Sequence, residues 1–225
     1  MIRANQQKDK PFVEKALTDL LGMTCGEIIF DTNINKWEKN NSDFASIVGG
    51  KKELAFVVED KENNIFGGYV SKKIIVDKTL EDINTCVFTL KRNGQFNPKK
   101  FAVKDVSQDF IVQLDDEKFL FIFGKKKDIE KDEFMLDLAV LKKKSAGFNY
   151  TEQFNFDYEG GENVLTGGTR FELSRVVVYQ MNETEESKRR RLEIEERIRK
   201  EEMEKRKQDV AQRSLFLRKC GATTL

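Results

Sequence analysis

The chain has 225 residues, enough for one well-buried core and an appendage. Its 40 basic and 39 acidic residues balance, so no overall field draws it to nucleic acid or to an anionic membrane, and any such contact has to come from a local patch. Histidine is absent, which excludes Ser–His and Cys–His nucleophile pairs and removes the commonest zinc ligand.

Three cysteines, Cys25, Cys86 and Cys220, are far apart and odd in number. They argue against a disulfide framework and for a reducing, cytoplasmic compartment. There is no CxxC pair, no N-terminal stretch of signal-peptide type and no apolar run of membrane-spanning length. Neither a metal cofactor nor membrane insertion is expected.

The first predicted element is a helix in "DKPFVEKALTDLLG" (9–22), with Pro11 at its start, Gly22 at its stop, and Phe12, Ala16, Leu17, Leu20 and Leu21 on one face. "GEIIF" (26–30) is a short buried strand. The loop after it, "DTNINKWEKNNS" (31–42), starts as a calcium loop does, with Asp31, Asn33 and Asn35 at alternate positions. It has Lys36 where the sharp-turn glycine belongs and Ser42 where the bidentate glutamate belongs, so it reads as a polar connection. "GGKK" (49–52) lacks the spacing of a phosphate loop.

"ELAFVV" (53–58) and "NIFGGYV" (64–70) form a hairpin through "EDKEN". Gly67 and Gly68 lie inside the second strand and precede more strand, not a helix N-terminus that holds phosphate. They are expected to be architectural, at a bulge or where a neighbour passes close. Strands are predicted in "TCVFTL" (85–90), "KFAVKDV" (100–106), "FIVQL" (110–114), "KFLFIFG" (118–124), "EFMLDLAVLK" (133–142) and "FELSRVVVYQM" (171–181). The carboxylates Asp115, Asp116 and Glu117 fall at a hairpin tip, where solvated turn residues keep ordinary acidity. Many short strands with few helices predict a mainly β chain with some α, an antiparallel β-sandwich with peripheral helices.

Near Asn182 the composition changes. We divide the chain into a sandwich domain, residues 1–181, and a charged helical tail, residues 182–225. "ETEESKRRRLEIEERIRKEEMEKRKQDVAQRSLFLRK" (183–219) has no proline or glycine, and its Glu195/Arg199 and Glu201/Lys205 spacings support a long charged C-terminal helix. Met203, Val210 and Leu217 are spaced by seven, a thin stripe suited to a weak coiled coil. Leu215, Phe216 and Leu217 are an apolar terminus with no local core to serve, and Leu225 ends the chain as carboxylate-capture motifs do. These four are the candidate partner contacts.

Several of these segments, "EIIFDTNINKW", "FASIVGGKKELAFVVEDKENNIFGGYVSKKI", "CVFTLKRNG" and "RFELSRVVVYQM", resemble the TLDc family, the TBC/LysM-associated domain of oxidation-resistance proteins, in a divergent protist-type form. "FGGYVS" and the last strand, with Phe171, Leu173, Val176, Val177, Val178 and Tyr179, carry the likeness best. The resemblance implies a β-sandwich with small helices, protection from oxidative stress, vacuolar proton-ATPase binding in several members, and no accepted catalytic mechanism. The expected function is a non-catalytic interaction protein without cofactor, its partner a protein. The alternative is a nucleic-acid-binding or nuclear regulatory protein using "KRRR" (188–191), "GKKK" (124–127) and "LKKKS" (141–145), whose phosphate contacts have to weaken steeply with salt.

Overall fold

The computed structural model describes residues 2–38, 41–76, 78, 80–104, 119–128, 133–141, 146–149, 156–158 and 163–189, and then 192, 193, 196, 197, 199, 200, 203 and 206. In chain order the elements are α1 (Ile2–Leu21), β1 (Met23–Asp31), β2 (Trp37–Glu38), β3 (Asn41–Ser42), α2 (Phe44–Val48), β4 (Leu54–Asp60), β5 (Ile65–Val70), β6 (Cys86–Arg92), β7 (Gln95–Ala102), β8 (Phe119–Asp128), β9 (Glu133–Leu141), β10 (Ala146–Asn149) and β11 (Arg170–Glu183). The chain is mainly β, and the registers described are antiparallel.

The strand order is β7-β6-β5-β4-β11-β10-β9-β8, with β1 also on β11. The long strand β11 joins the two halves of this ladder. Its start, Arg170 to Glu172, pairs with β10, and Leu173 to Gln180 pair with β4. A strand shared in this way lets one ladder fold over and face itself as a sandwich.

Side-chain alternation decides what each face buries. On β4, Leu54, Phe56 and Val58 enter the core between the halves, whereas Ala55 and Val57 enter a second core on the outer face. On β11, Val176 and Val178 point inward and Val177, Tyr179 and Met181 outward. The inner core is an aromatic layer. Phe56 lies 5.1 Å from Phe121 and 5.7 Å from Phe123, and Phe44 of α2 stacks 6.0 Å from Phe121.

Gly67 and Gly68 belong to this packing. A Cβ on Gly68 would sit 2.5 Å from the Phe123 ring. A Cβ on Gly67 would strike the Phe56 carbonyl oxygen across the ladder. No real Cβ makes such contacts, so both positions need bare backbone.

The outer core is covered by α1, which supplies Val13, Ala16 and Leu17. This helix starts earlier than the sequence pattern indicates, and Pro11 lies inside it. The polar first turns carry no apolar period, which is why periodicity missed them. Two contacts hold α1 near Pro11, Lys91 meeting Asp9 at 2.6 Å and Phe12 stacking on Phe96 at 5.1 Å, and the Lys91 ammonium itself lies 5.3 Å from the Phe96 ring.

Three strands also differ from expectation. β1 begins at Met23, β7 begins at Gln95 and contains Pro98, and β10 was not foreseen. Pro98 is tolerated because β7 is the outermost strand, where a missing N–H costs no ladder bond. "RNG" before β7 is a tight hairpin turn, with Asn93 and Gly94 both at positive φ. The predicted strand at 110–114 and the tip residues Asp115, Asp116 and Glu117 lie outside the described residues.

Backbone contacts divide the chain into Met1–Asn182 and Glu183–Leu225. In the second unit, residues 185–189 are helical. The Thr184 hydroxyl accepts from the Ser187 N–H at 3.0 Å, an N-terminal cap. Exposed pairs follow at helical spacing, Arg189 with Glu193 at 3.8 Å and Lys200 with Glu196 at 2.8 Å.

Candidate binding cleft

The outer face is not wholly covered. Beside α1 an open cleft of about 420 Å³ is walled by Val13, Ile28, Val57, Val177 and Tyr179. Asp31, Glu59 and Arg175 line it as well, with Asp9, Lys10, Asn33 and Ile34.

Its polar group is built by a bulge and a turn. The β4–β11 register shifts between Leu173 and Arg175, and this irregularity places Arg175 directly opposite Glu59. Asp31 ends β1 and starts a tight turn. Its Oδ1 accepts from the Asn33 N–H at 2.9 Å, and its own N–H donates to Asn35 Oδ1 at 2.8 Å. Thr32 ties the turn to β11, donating its N–H to the Val176 carbonyl at 3.0 Å and accepting from the Val176 N–H at 3.0 Å.

The two carboxylates are treated unequally. Arg175 grips Asp31 with both arms, Nε to Oδ1 at 3.0 Å and Nη2 to Oδ2 at 2.5 Å. That bidentate fork is the strong form of the contact. Glu59 receives one long contact, from Nη1 to Oε1 at 3.4 Å. Burial opposes ionisation of Asp31, but the hydrogen bonds from Arg175 and Asn33 outweigh it and hold the carboxyl below its usual range. At Glu59 burial wins: the carboxyl is pushed above its ordinary value, and the Arg175 charge offsets this only in part. The paired arginine is itself held more firmly protonated by its hydrogen bond to Asp31.

Tyr179 closes the cleft floor. The residue is 4% exposed, and its hydroxyl has no hydrogen-bond partner among the described residues. Burial raises its pKa. The rim charges are answered elsewhere, Asp9 by Lys91 at 2.6 Å and Lys10 by Glu14 at 3.6 Å.

Asp31 is therefore an arginine partner, and the loop that follows it is a polar connection. Among the described residues no group of three or more Asp, Glu, Cys and His is placed to hold a metal ion. The thiols are shielded. Burial, with help from Glu14, pushes Cys25 up to about 11, and burial pushes Cys86 up to about 12.

Gly67 and Gly68 lie in β5, within the packed ladder and outside the cleft lining. Leu215, Phe216, Leu217 and Leu225 lie outside the described residues, as does Cys220. Of the basic runs, Lys188 and Arg189 are exposed and face acidic partners, Glu185 at 4.0 Å and Glu193 at 3.8 Å. The lysines of 124–127 lie on β8, and residues 142–145 are not among those described.

Glu59, Arg175 and Tyr179 were missed as a site. One signal was available: Arg175 is a cation just before the buried run Val176–Tyr179, and such a charge needs a partner. Nothing in the sequence says that the partners are Asp31 and Glu59.

Against this geometry, the family model of the TLDc domain matches residues 25–182. The match covers the strands from β4 to β10 and most of β1 and β11, and it leaves out α1. No curated protein matches the chain in sequence. No helix among the described residues is long and apolar enough to cross a membrane.

Proposed function

The chain belongs to the TLDc domain family, and from that premise we propose that it is a non-catalytic interaction protein that serves oxidative-stress protection by binding the vacuolar proton-ATPase. The observation that carries the reading is the chemistry of the cleft. Asp31 is clamped by Arg175 and Asp9 is paired with Lys91, so neither is poised as a base. Burial raises the Glu59 carboxyl above its ordinary range, and among the described residues no Cys, Ser or Thr and no second unpaired carboxylate stands beside it in the lining. The cleft offers recognition chemistry: apolar walls, one under-neutralised carboxylate and one open hydroxyl.

Protection from oxidants is then indirect. A thiol whose pKa is about 11 or 12 is almost wholly protonated at neutral pH and reacts slowly with peroxide. Two measurements test the proposal. Peroxide consumption by the full chain is expected at the buffer rate and unchanged in Cys25→Ser and Cys86→Ser; fast consumption lost on either substitution overturns the non-catalytic assignment. Immobilised full chain is expected to capture purified vacuolar proton-ATPase, with capture weakened when Leu215, Phe216 and Leu217 are all replaced by Ser. Absence of capture removes that partner.

A further inference from the structure

We propose that the cleft beside α1 is a receptor for one arginine side chain of a partner protein, with Glu59 and Tyr179 as the groups that hold its guanidinium. This rests on the interaction-protein reading and adds the chemistry of the contact.

The charge pattern selects a cation. Of the three carboxylates in the lining, Asp9 is satisfied by Lys91 at 2.6 Å and Asp31 has both oxygens on Arg175. Glu59 keeps one oxygen on a 3.4 Å contact and makes no other side-chain hydrogen bond among the described residues. The second independent feature is Tyr179, which lines the same cleft, is 4% exposed, and whose hydroxyl has no hydrogen-bond partner among the described residues. A phenolic oxygen and a carboxylate are both acceptors for guanidinium N–H groups. Of the two lining cations, Arg175 is held by Asp31 and Lys10 lies half-exposed 3.6 Å from Glu14, so the lining carries more acidic than basic side chains and favours a cation.

The walls select a long apolar stem under that charge. Val57, Val177 and Ile28 flank the polar group, and an arginine carries three methylenes that pack on such surface while its head stays hydrogen-bonded. At about 420 Å³ the space is at the small end of ligand pockets, which run from about 300 to 1,000 Å³. Ile34, 80% exposed on the rim, gives apolar contact to the backbone flanking the inserted residue. Arginine fits better than lysine because its planar guanidinium presents several N–H donors to more than one acceptor in the same lining.

The probe is N-acetyl-arginine amide titrated into the full chain and followed by NMR shifts of residues around Glu59, with N-acetyl-citrulline amide as the uncharged isostere. The expected result is saturable binding of the arginine probe, at least tenfold tighter than citrulline. Glu59→Gln is expected to weaken it about tenfold and Tyr179→Phe several-fold, with unchanged melting temperature showing that both variants fold. Equal binding of the two probes, no shift near Glu59, or unaltered affinity in folded Glu59→Gln overturns the proposal. Inorganic phosphate shifting the same residues makes this an anion site and also overturns it. Loss of the arginine site alongside retained capture of the vacuolar ATPase removes the cleft assignment and leaves the interaction reading intact; arginine binding without that capture does the reverse.

Discussion

The two faces of the β4–β5–β6–β11 ladder use alternate residues of the same strands and reach different ends. The inner face is sealed by shape. Phe56, Phe121 and Phe123 interlock, and Gly68 is the notch into which the Phe123 ring fits. The outer face is covered by one helix, and beyond its cover the apolar floor of Val57 and Val177 meets Arg175, Asp31 and Glu59. A sheet lying on a sheet can exclude everything else. A single helix about 10 Å across cannot cover several strands, and the uncovered remainder is where polar side chains can be both anchored and reachable.

The contrast is most severely tested at the notch. Gly68→Val pushes a branched side chain into Phe123, and overpacking of this kind costs up to about 3 kcal/mol, which lowers the melting temperature by roughly 6–12 °C in a domain of this size. Gly68→Ala in a Phe123→Leu background is expected to recover part of the loss of Gly68→Ala alone, a coupling that a double-mutant cycle measures. A well-tolerated Gly68→Val breaks the idea that shape seals this face.

The cover of the outer face comes next. Leu17, on the face of α1 turned to the outer core, is fully buried. Leu17→Ala is expected to destabilise by about 2–3 kcal/mol, read by chemical denaturation. A smaller loss, near that of a surface change, would mean that α1 is not part of the cooperative unit.

Arg175→Met sharpens the comparison further. It leaves Asp31 without its fork and costs about 1–2 kcal/mol at neutral pH, a figure discounted because the cluster is partly wet. The sign with pH follows from Asp31, whose folded pKa is depressed. Its contribution is present above the ordinary carboxylate pKa of about 3.9 and is lost as pH falls through the lower folded value. Wild-type and Arg175→Met melting temperatures are thus expected to converge on acidification.

The smallest effect belongs to Glu59→Gln. The raised pKa means that the folded state disfavours the charged carboxylate. Wild type loses stability as pH rises through that folded pKa, so Gln is expected to leave the melting temperature within roughly 2 °C, on the stable side at neutral pH. The difference vanishes as pH falls and Glu59 takes up its proton. A clear destabilisation instead would make Glu59 a structural partner of Arg175.

Local pattern alone determined much of this protein. Apolar runs between turn residues located β4, β5, β6, β8, β9 and β11, because a strand buried on both faces needs apolar side chains in succession. The glycine pair in "FGGYV" was legible as a close approach, because no other residue leaves backbone bare. Residue content ruled out histidine chemistry before any fold was known. Tertiary structure decided the rest. The Pro11 helix extends to Ile2, a start no hydrophobic period marks, and Pro98 sits mid-strand because β7 is an edge. The cleft needed three segments, Asp31, Glu59 and Arg175, separated by as much as 144 positions in the chain. In its own stretch none of them names its partners. Only the bulge in β11 and the closing of β1 and β4 on either side of it bring the three charges together, and local periodicity carries no record of that pairing.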